Sequence, residues 1–301
     1  AALALLIPLS ASARVPNAGQ LSVSSTGTEK ILEVTETGRT IRSLATLYNA
    51  GGLLTGTRDT HNEYEGQRLT RTWVRHFDAD ETLTRQWVTT YHHLKTGQLD
   101  KVTRRHLAGD DAVLSYEVSQ WHYDHKPRAA VRFTTVETTM YDPDEAVTGT
   151  RYTIHHSRQV GTTWRQTSSD MSVFDAGGVQ KSRSLTEFKT GGLKRWIFDE
   201  RDDVARVEVE EHERDARGRL VQIVADITDG EKRALGSRIQ RFSHNADGRV
   251  RNHTTTWYDE TDQATQRRTM TNVWKRGINT PETRTTWERW TVLPAAPAAR
   301  N

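Results

Sequence analysis

From residue 31 to 292 the chain alternates loosely between polar and apolar positions, in segments of about ten residues separated by short polar turns. In Leu83-Thr-Arg-Gln-Trp-Val-Thr-Thr-Tyr91, Leu83, Arg85, Trp87, Thr89 and Tyr91 fall on one face of a strand. Thr84, Gln86, Val88 and Thr90 fall on the other. Val131–Tyr141 and Val250–Tyr258 read the same way, and no apolar stripe of helical period is long enough for a helix. The turns recur roughly every fifteen residues and share one signature: an aromatic, Asp or Asn, a short polar or Gly tract, then an aliphatic. Tyr48-Asn-Ala-Gly-Gly-Leu53, Phe77-Asp-Ala-Asp-Glu-Thr-Leu83, Tyr141-Asp-Pro-Asp-Glu-Ala-Val147 and Phe174-Asp-Ala-Gly-Gly-Val179 are examples. Asp and Asn belong there because their side chains bond the backbone two residues on, and Gly because it tolerates positive φ. The pattern predicts an all-β, antiparallel up-and-down meander of hairpin repeats. About seventeen such strands would spread over ~80 Å, too wide to stay flat, so the expected form is one wide sheet that coils, rolls or closes on itself.

The ends read differently. Ala1-Ala-Leu-Ala-Leu-Leu-Ile-Pro-Leu9 followed by Ala11-Ser-Ala13 resembles the apolar region and cleavage site of a signal peptide, 1–13, whose start is truncated. Residues 14–30 are Ser, Thr and Gly-rich and read as a flexible leader, 31–292 as one β-repeat domain, and 293–301 as a disordered Pro/Ala tail. The expected location is therefore secreted or periplasmic.

Composition sharpens this picture. The hydrophobic fraction of 34% is below the ~45–50% of a typical globular chain, while nine Trp, eight Tyr and six Phe are present. Few apolar residues with many aromatics suit a single-layer sheet wetted on much of its surface. The 42 basic and 39 acidic residues are interspersed and give a net charge of +3. There is no basic stripe of the kind nucleic acid requires, and no apolar run long enough for a transmembrane helix. With no cysteine, disulfides, thiolate metal sites and cysteine nucleophiles are excluded.

The turn unit resembles the tyrosine–aspartate (YD) repeat of the RHS (rearrangement hotspot) and teneurin-type proteins, Tyr-Asp-x-x-Gly-Arg-Leu. Asp215-Ala-Arg-Gly-Arg-Leu220 matches it from the Asp onward, and His244-Asn-Ala-Asp-Gly-Arg-Val250 matches with Asn for Asp and His for Tyr. Elsewhere the Gly-Arg pair is mostly missing, as in Tyr123-Asp-His-Lys-Pro-Arg128. The resemblance implies a spiralling β-sheet shell and a surface for adhesion or carbohydrate contact.

Candidate chemistry is sparse. His122 and Asp124, two apart on a strand, would share a face and could contribute to a metal site. Aromatic faces stack on sugar rings and Arg forks acidic groups, which makes Trp73, Trp87, Trp121, Trp164, Arg75 and Arg85 candidate ligand contacts. The same residues also fit cross-strand packing. No Gly-x-Ser-x-Gly elbow, P-loop or dinucleotide fingerprint is present, so no catalytic residue and no cofactor is assigned. The leading reading is an exported, non-catalytic binding or structural module with a glycan or protein partner. The alternatives are a periplasmic carrier of lipid or another amphiphile, which calls for apolar side chains on the concave face, and a polysaccharide-degrading enzyme.

Overall fold

The computed structural model describes residues 20–124, 131–276, 278 and 280–291. Its strands are β1 (Gln20–Val34), β2 (Thr40–Asn49), β3 (Leu54–Glu65), β4 (Arg68–Phe77), β5 (Leu83–His93) and β6 (Leu99–Ala108). Then come β7 (Val113–Asp124), β8 (Val131–Tyr141), β9 (Val147–Val160), β10 (Thr163–Asp175), β11 (Gln180–Lys189) and β12 (Gly192–Phe198). The last are β13 (Val204–Arg214), β14 (Leu220–Thr228), β15 (Ala234–His244), β16 (Val250–Tyr258), β17 (Ala264–Val273) and β18 (Glu282–Thr291). Each strand is antiparallel to its neighbours in sequence, as the pattern predicts. Of the forms expected of so wide a sheet, it takes closure rather than an open coil or roll: β18 pairs with β1, and the 18-stranded sheet closes into a barrel. At usual strand spacing and tilt, such a barrel is ~36 Å across its backbone.

The closing strand is the one the sequence conceals. β1 begins at Gln20, so residues 20–30, read as leader from their Ser/Thr/Gly content, are paired on both sides: Gln20–Glu29 with β18 and Ser25–Val34 with β2. The strands number eighteen rather than seventeen for this reason. The expected signal peptide (1–13), the start of the leader (14–19) and the tail (293–301) lie outside the described residues.

Curvature comes from the turn signature itself. On the rim formed by the turns after β2, β4 and every second strand to β16, each hairpin shifts register at the residue before the turn Asp or its equivalent. Tyr48, Phe77, Leu107, Tyr141, Phe174, Phe198, Thr228 and Tyr258 occupy that position. A bulge bends its strand and increases its twist. Further shifts toward the other rim, as at Glu63/Tyr64, His92/His93, Glu213/Arg214 and Ser243/His244, add to the rolling of the sheet. Just beyond Phe77, Asp78 Oδ1 accepts from the backbone N–H of Asp80 and Thr82 at 3.0 and 2.9 Å. Asp142, Asp175, Asp199 and Asp259 make the same pair of bonds.

The fourth turn residue has positive φ. Glycine fills it at Gly52 and Gly178, but Glu81, Asp111, Glu145, Asp202, Lys232 and Asp262 adopt it too, with φ of 62–68°. The missing glycines of the repeat signature are therefore strained turns of the same type. Glu81→Gly and Glu145→Gly should each raise stability by about 0.5 kcal/mol, because a left-handed penalty of ~1–2 kcal/mol exceeds the ~0.5–1 kcal/mol flexibility cost of glycine. Urea denaturation of the two variants checks this; a lower midpoint in both would refute the assignment of strain.

Tracing register around the ring divides the side chains into two faces without a break in parity. One face holds most of the buried positions, among them Ser43, Ala45, Val74, Thr89, Ser119, Thr138, Thr186, Glu208, Ala225 and Thr255. The mid-strand contacts that skip a strand also lie there: Glu29 with Arg58, Glu208 with Arg238, Arg132 with Trp164, and Trp257 with Trp287. Side chains converge in this way only on a concave surface, so this face lines the lumen. The exposed large apolar residues Val131, Phe133, Tyr152, Ile154 and Val209 belong to the other face. Among the described residues the largest fully buried side chains are Thr138 and Thr255, so no apolar core fills the space between opposite walls. Among the described residues nothing plugs the lumen, and the barrel is held chiefly by its ladders.

Candidate ligand-binding lumen

A five-residue run opens three strands six apart: Leu54-Thr-Gly-Thr-Arg58 on β3, Val147-Thr-Gly-Thr-Arg151 on β9 and Ala234-Leu-Gly-Ser-Arg238 on β15. It recurs about every ninety residues, a period much longer than the turn beat. In each run the glycine sits against the carbonyl of the aromatic at the end of the facing strand: Gly56 at Phe77, Gly149 at Phe174, Gly236 at Tyr258. The arginine two residues on points into the lumen, opposite a small residue: Ala45, Thr138 and Ala225 respectively.

The register extends this likeness across five strands. Thr89, Arg104, Glu117, Met140 and Gly149 stand side by side from β5 to β9. Thr186, Arg195, Glu208, Ile227 and Gly236 stand so from β11 to β15. Arg104 donates from Nε to Thr89 Oγ1 at 3.3 Å and from Nη1 to Glu117 Oε1 at 3.0 Å. Arg195 does the same to Thr186 at 3.2 Å and Glu208 at 3.4 Å. The third row, from β17 through the seam to β3, is Met270, Thr285, Gly27, Leu47 and Gly56, without the charge pair. The barrel is thus a six-strand unit used three times. Sequence reasoning on turns alone misses this; the three Gly-x-Arg runs are the signal that finds it.

Arginine dominates the lumen. Arg58, Arg104, Arg151, Arg195, Arg238 and Arg268 all face it, against mid-strand carboxylates Glu29, Glu117, Glu208 and Glu210. The densest network surrounds Glu208, whose side chain is 4% exposed. Arg238 Nη2 lies 2.9 Å from Glu208 and 2.5 Å from Glu210, and His212 Nε2 lies 3.4 Å from Glu210. Both carboxylates are thereby neutralised and held in place. His76, against Trp87 at 4.9 Å, has its pKa lowered by burial and by Arg85 and Arg58, which keeps it uncharged at neutral pH. Burial, with Arg238 nearby, also lowers the pKa of the Arg268 guanidinium.

The expected contact residues divide between the faces. Trp87, Trp121, Trp164 and Arg85 face the lumen. Trp87 lies between His76 and His106, and Arg132 caps Trp164 at 3.9 Å. Trp73 and Arg75 instead face outward, in a shallow hollow of about 380 Å³ with His61 and the Arg42–Asp59 ion pair. All nine Trp are half-buried, so no exposed aromatic row marks a track. His122 and Asp124 do share a face, the outer one, and both are exposed. Among the described residues no group of three His, Asp or Glu is placed to hold a metal ion. His125 lies outside the described residues.

The two rims differ in charge. The turns at 78–82, 109–112, 142–146, 199–203 and 259–263, all on one rim, carry many acidic residues and a single base, Arg201, and the 229–233 turn on that rim adds Lys232 and Arg233 beside Asp229 and Glu231. The opposite rim presents Lys95, Arg217, Arg219, Lys275 and Arg276. There Asp215 is held down to about 2 by its hydrogen bond from the Arg219 side chain and by backbone donors.

The chain is, by its fold, a closed antiparallel up-and-down β-barrel with a polar lumen. No family model and no curated protein matches it. Solved structures with some likeness include a porin-like protein from Bacteroides uniformis, 11% identical over 89% of this chain and 96% of that one, with a TM-score of 0.38. A TcdB2–TccC3 structure is 11% identical over 91% of this chain and 18% of that one, at 0.23. Transferrin-binding protein B from Haemophilus parasuis is 7% identical over 91% and 76%, at 0.15. At these scores none carries an argument about fold or function.

Proposed function

We propose that this chain is an exported, non-catalytic binding module of the cell envelope or exterior, a degenerate relative of the YD-repeat proteins, whose working surface for a glycan is the lumen wall. One observation carries the reading: the concave face of the closed sheet presents half-buried Trp87, Trp121 and Trp164 beside arginines that outnumber its carboxylates. Trp87, Trp121, Trp164 and Arg85 are the proposed contacts there, with sugar rings stacking on the indoles. The lumen's arginines and glutamates oppose the lipid-carrier alternative, since an amphiphile would leave these charges desolvated against its tails. The outer face also weighs against a membrane-embedded barrel: Arg75, Glu137, Asp170, Arg183 and Arg267 break any apolar belt. No helix among the described residues is long and apolar enough to cross a membrane.

A glycan array combined with a reducing-end assay on the purified chain tests the reading. Binding to a defined glycan class without release of reducing ends is expected. Release of reducing ends would overturn the non-catalytic part, and a blank array would overturn the glycan.

A further inference from the structure

The third row of the pseudo-threefold lumen is altered, and the alteration makes a cavity. Where the other two rows carry Arg104–Glu117 and Arg195–Glu208, this one carries Thr285 and Gly27. Removing two long side chains from a wall position leaves a hollow of about 460 Å³ across β17, β18, β1, β2, β3 and β4. Thr285 and Gly27 lie in its lining, with Glu29, Arg58, His76, Arg268 and Trp287 around them. Its small residues are what fix the cavity: a Cβ on Gly27 would meet Leu47 Cδ2 at 3.2 Å.

The groups around the hollow are not balanced. Glu29 is already engaged, accepting from Ser43 Oγ at 2.9 Å and lying 3.4 Å from Arg58 Nη2. Arg268 lies over the Trp287 ring at 5.4 Å, and its buried Nε has no hydrogen-bond partner. The buried Nε of Arg58 and Nε2 of His76 have none either. Trp287 in turn stacks on Trp257, 5.8 Å between centroids and 17° between planes, which fixes its orientation. A rigid indole beside a guanidinium that lacks a carboxylate calls for a ring with an anionic substituent.

We propose that this cavity is a binding subsite for an acidic sugar, a pyranose bearing a carboxylate. The ring lies against Trp287 and the carboxylate takes the place of the missing glutamate, accepting from Arg268. This rests on the lumen being a glycan-binding surface and specifies the class of residue bound there. The other two rows, closed by their own Arg–Glu pairs, do not offer the site.

Isothermal titration of the full chain with trigalacturonate and with its neutral galactose counterpart tests it. Trigalacturonate should bind at least about tenfold more tightly, as expected for a hydrogen bond to a charged group. The double variant Gly27→Glu/Thr285→Arg rebuilds the charge pair of the other rows. It should keep the far-UV circular dichroism and lose uronate binding. Arg268→Met leaves the wall intact and should remove the preference for the acid, so the test does not depend on the double variant folding. Equal affinity for both trisaccharides, or unchanged uronate binding in folded double variant, overturns the subsite while a positive array keeps the lumen reading. If neither trisaccharide binds and the array is blank, both fall together.

Discussion

Arg238→Met is expected to cost the barrel about 3–5 kcal/mol, the usual result of leaving a buried carboxylate without its cation. Arg238 bridges Glu208 and Glu210 at 2.9 and 2.5 Å, and the two glutamate side chains are only 4% and 10% exposed. Without it, two carboxylates on one strand face are left with Arg195 at 3.4 Å from Glu208 and His212 at 3.4 Å from Glu210. Adding Glu208→Gln and Glu210→Gln to the variant should restore most of the loss, because the penalty lies in the stranded charge rather than in a missing attraction. The outer pair Arg183–Asp170 is the contrast: with Arg183 and Asp170 32% and 28% exposed, its removal should cost at most ~1 kcal/mol. Urea midpoints of the three variants decide the matter. An Arg238→Met midpoint within error of the parent would show that the lumen network does not hold the barrel.

Gly236→Ala should destabilise by about 2–4 kcal/mol, since alanine is strained there and its Cβ has no room. Gly236 has φ of 132°, and a Cβ there would run into the backbone carbonyl of Tyr258. A backbone obstacle cannot rotate away as a side chain would. Gly149, whose added Cβ would lie 2.7 Å from the Phe174 carbonyl, meets the same obstacle one unit earlier. Gly248 gives the control: it has φ of 86° but open space around it, so Gly248→Ala carries conformational strain alone and should cost less. Thermal melts of the three variants rank them. A Gly248→Ala loss as large as that at Gly236 would mean that the close approach of the two strands contributes nothing.

These two sites show how far the sequence can be read. The turn beat was legible because its chemistry is local. Asp78 bonds its own backbone two and four residues on, and the residue at positive φ follows at a fixed offset. The alternation of Arg85, Trp87 and Thr89 was legible for the same reason, since neighbouring side chains on a strand must point to opposite faces. Which face is concave was not. Trp73 and Trp87 sit in near-identical contexts, Arg-Thr-Trp-Val and Arg-Gln-Trp-Val, yet one faces outward and the other the lumen. Position relative to the bulge, rather than composition, separates them. Residues 20–30 look like a leader in sequence because small polar side chains are common to linkers and to a strand whose lumen face must leave room.

The sequence by itself determined the strands, their antiparallel order and the chemistry of the turns, because each depends on contacts within a few residues. The tertiary structure decided closure, the lumen and the charge layout, because each depends on residues that meet only around the ring. A chain with 42 basic and 39 acidic residues looks nearly neutral along its length. Folded, its lumen carries more arginine than carboxylate and one rim carries most of the turn carboxylates, since strand alternation separates neighbours by face and the meander brings every second turn to the same end.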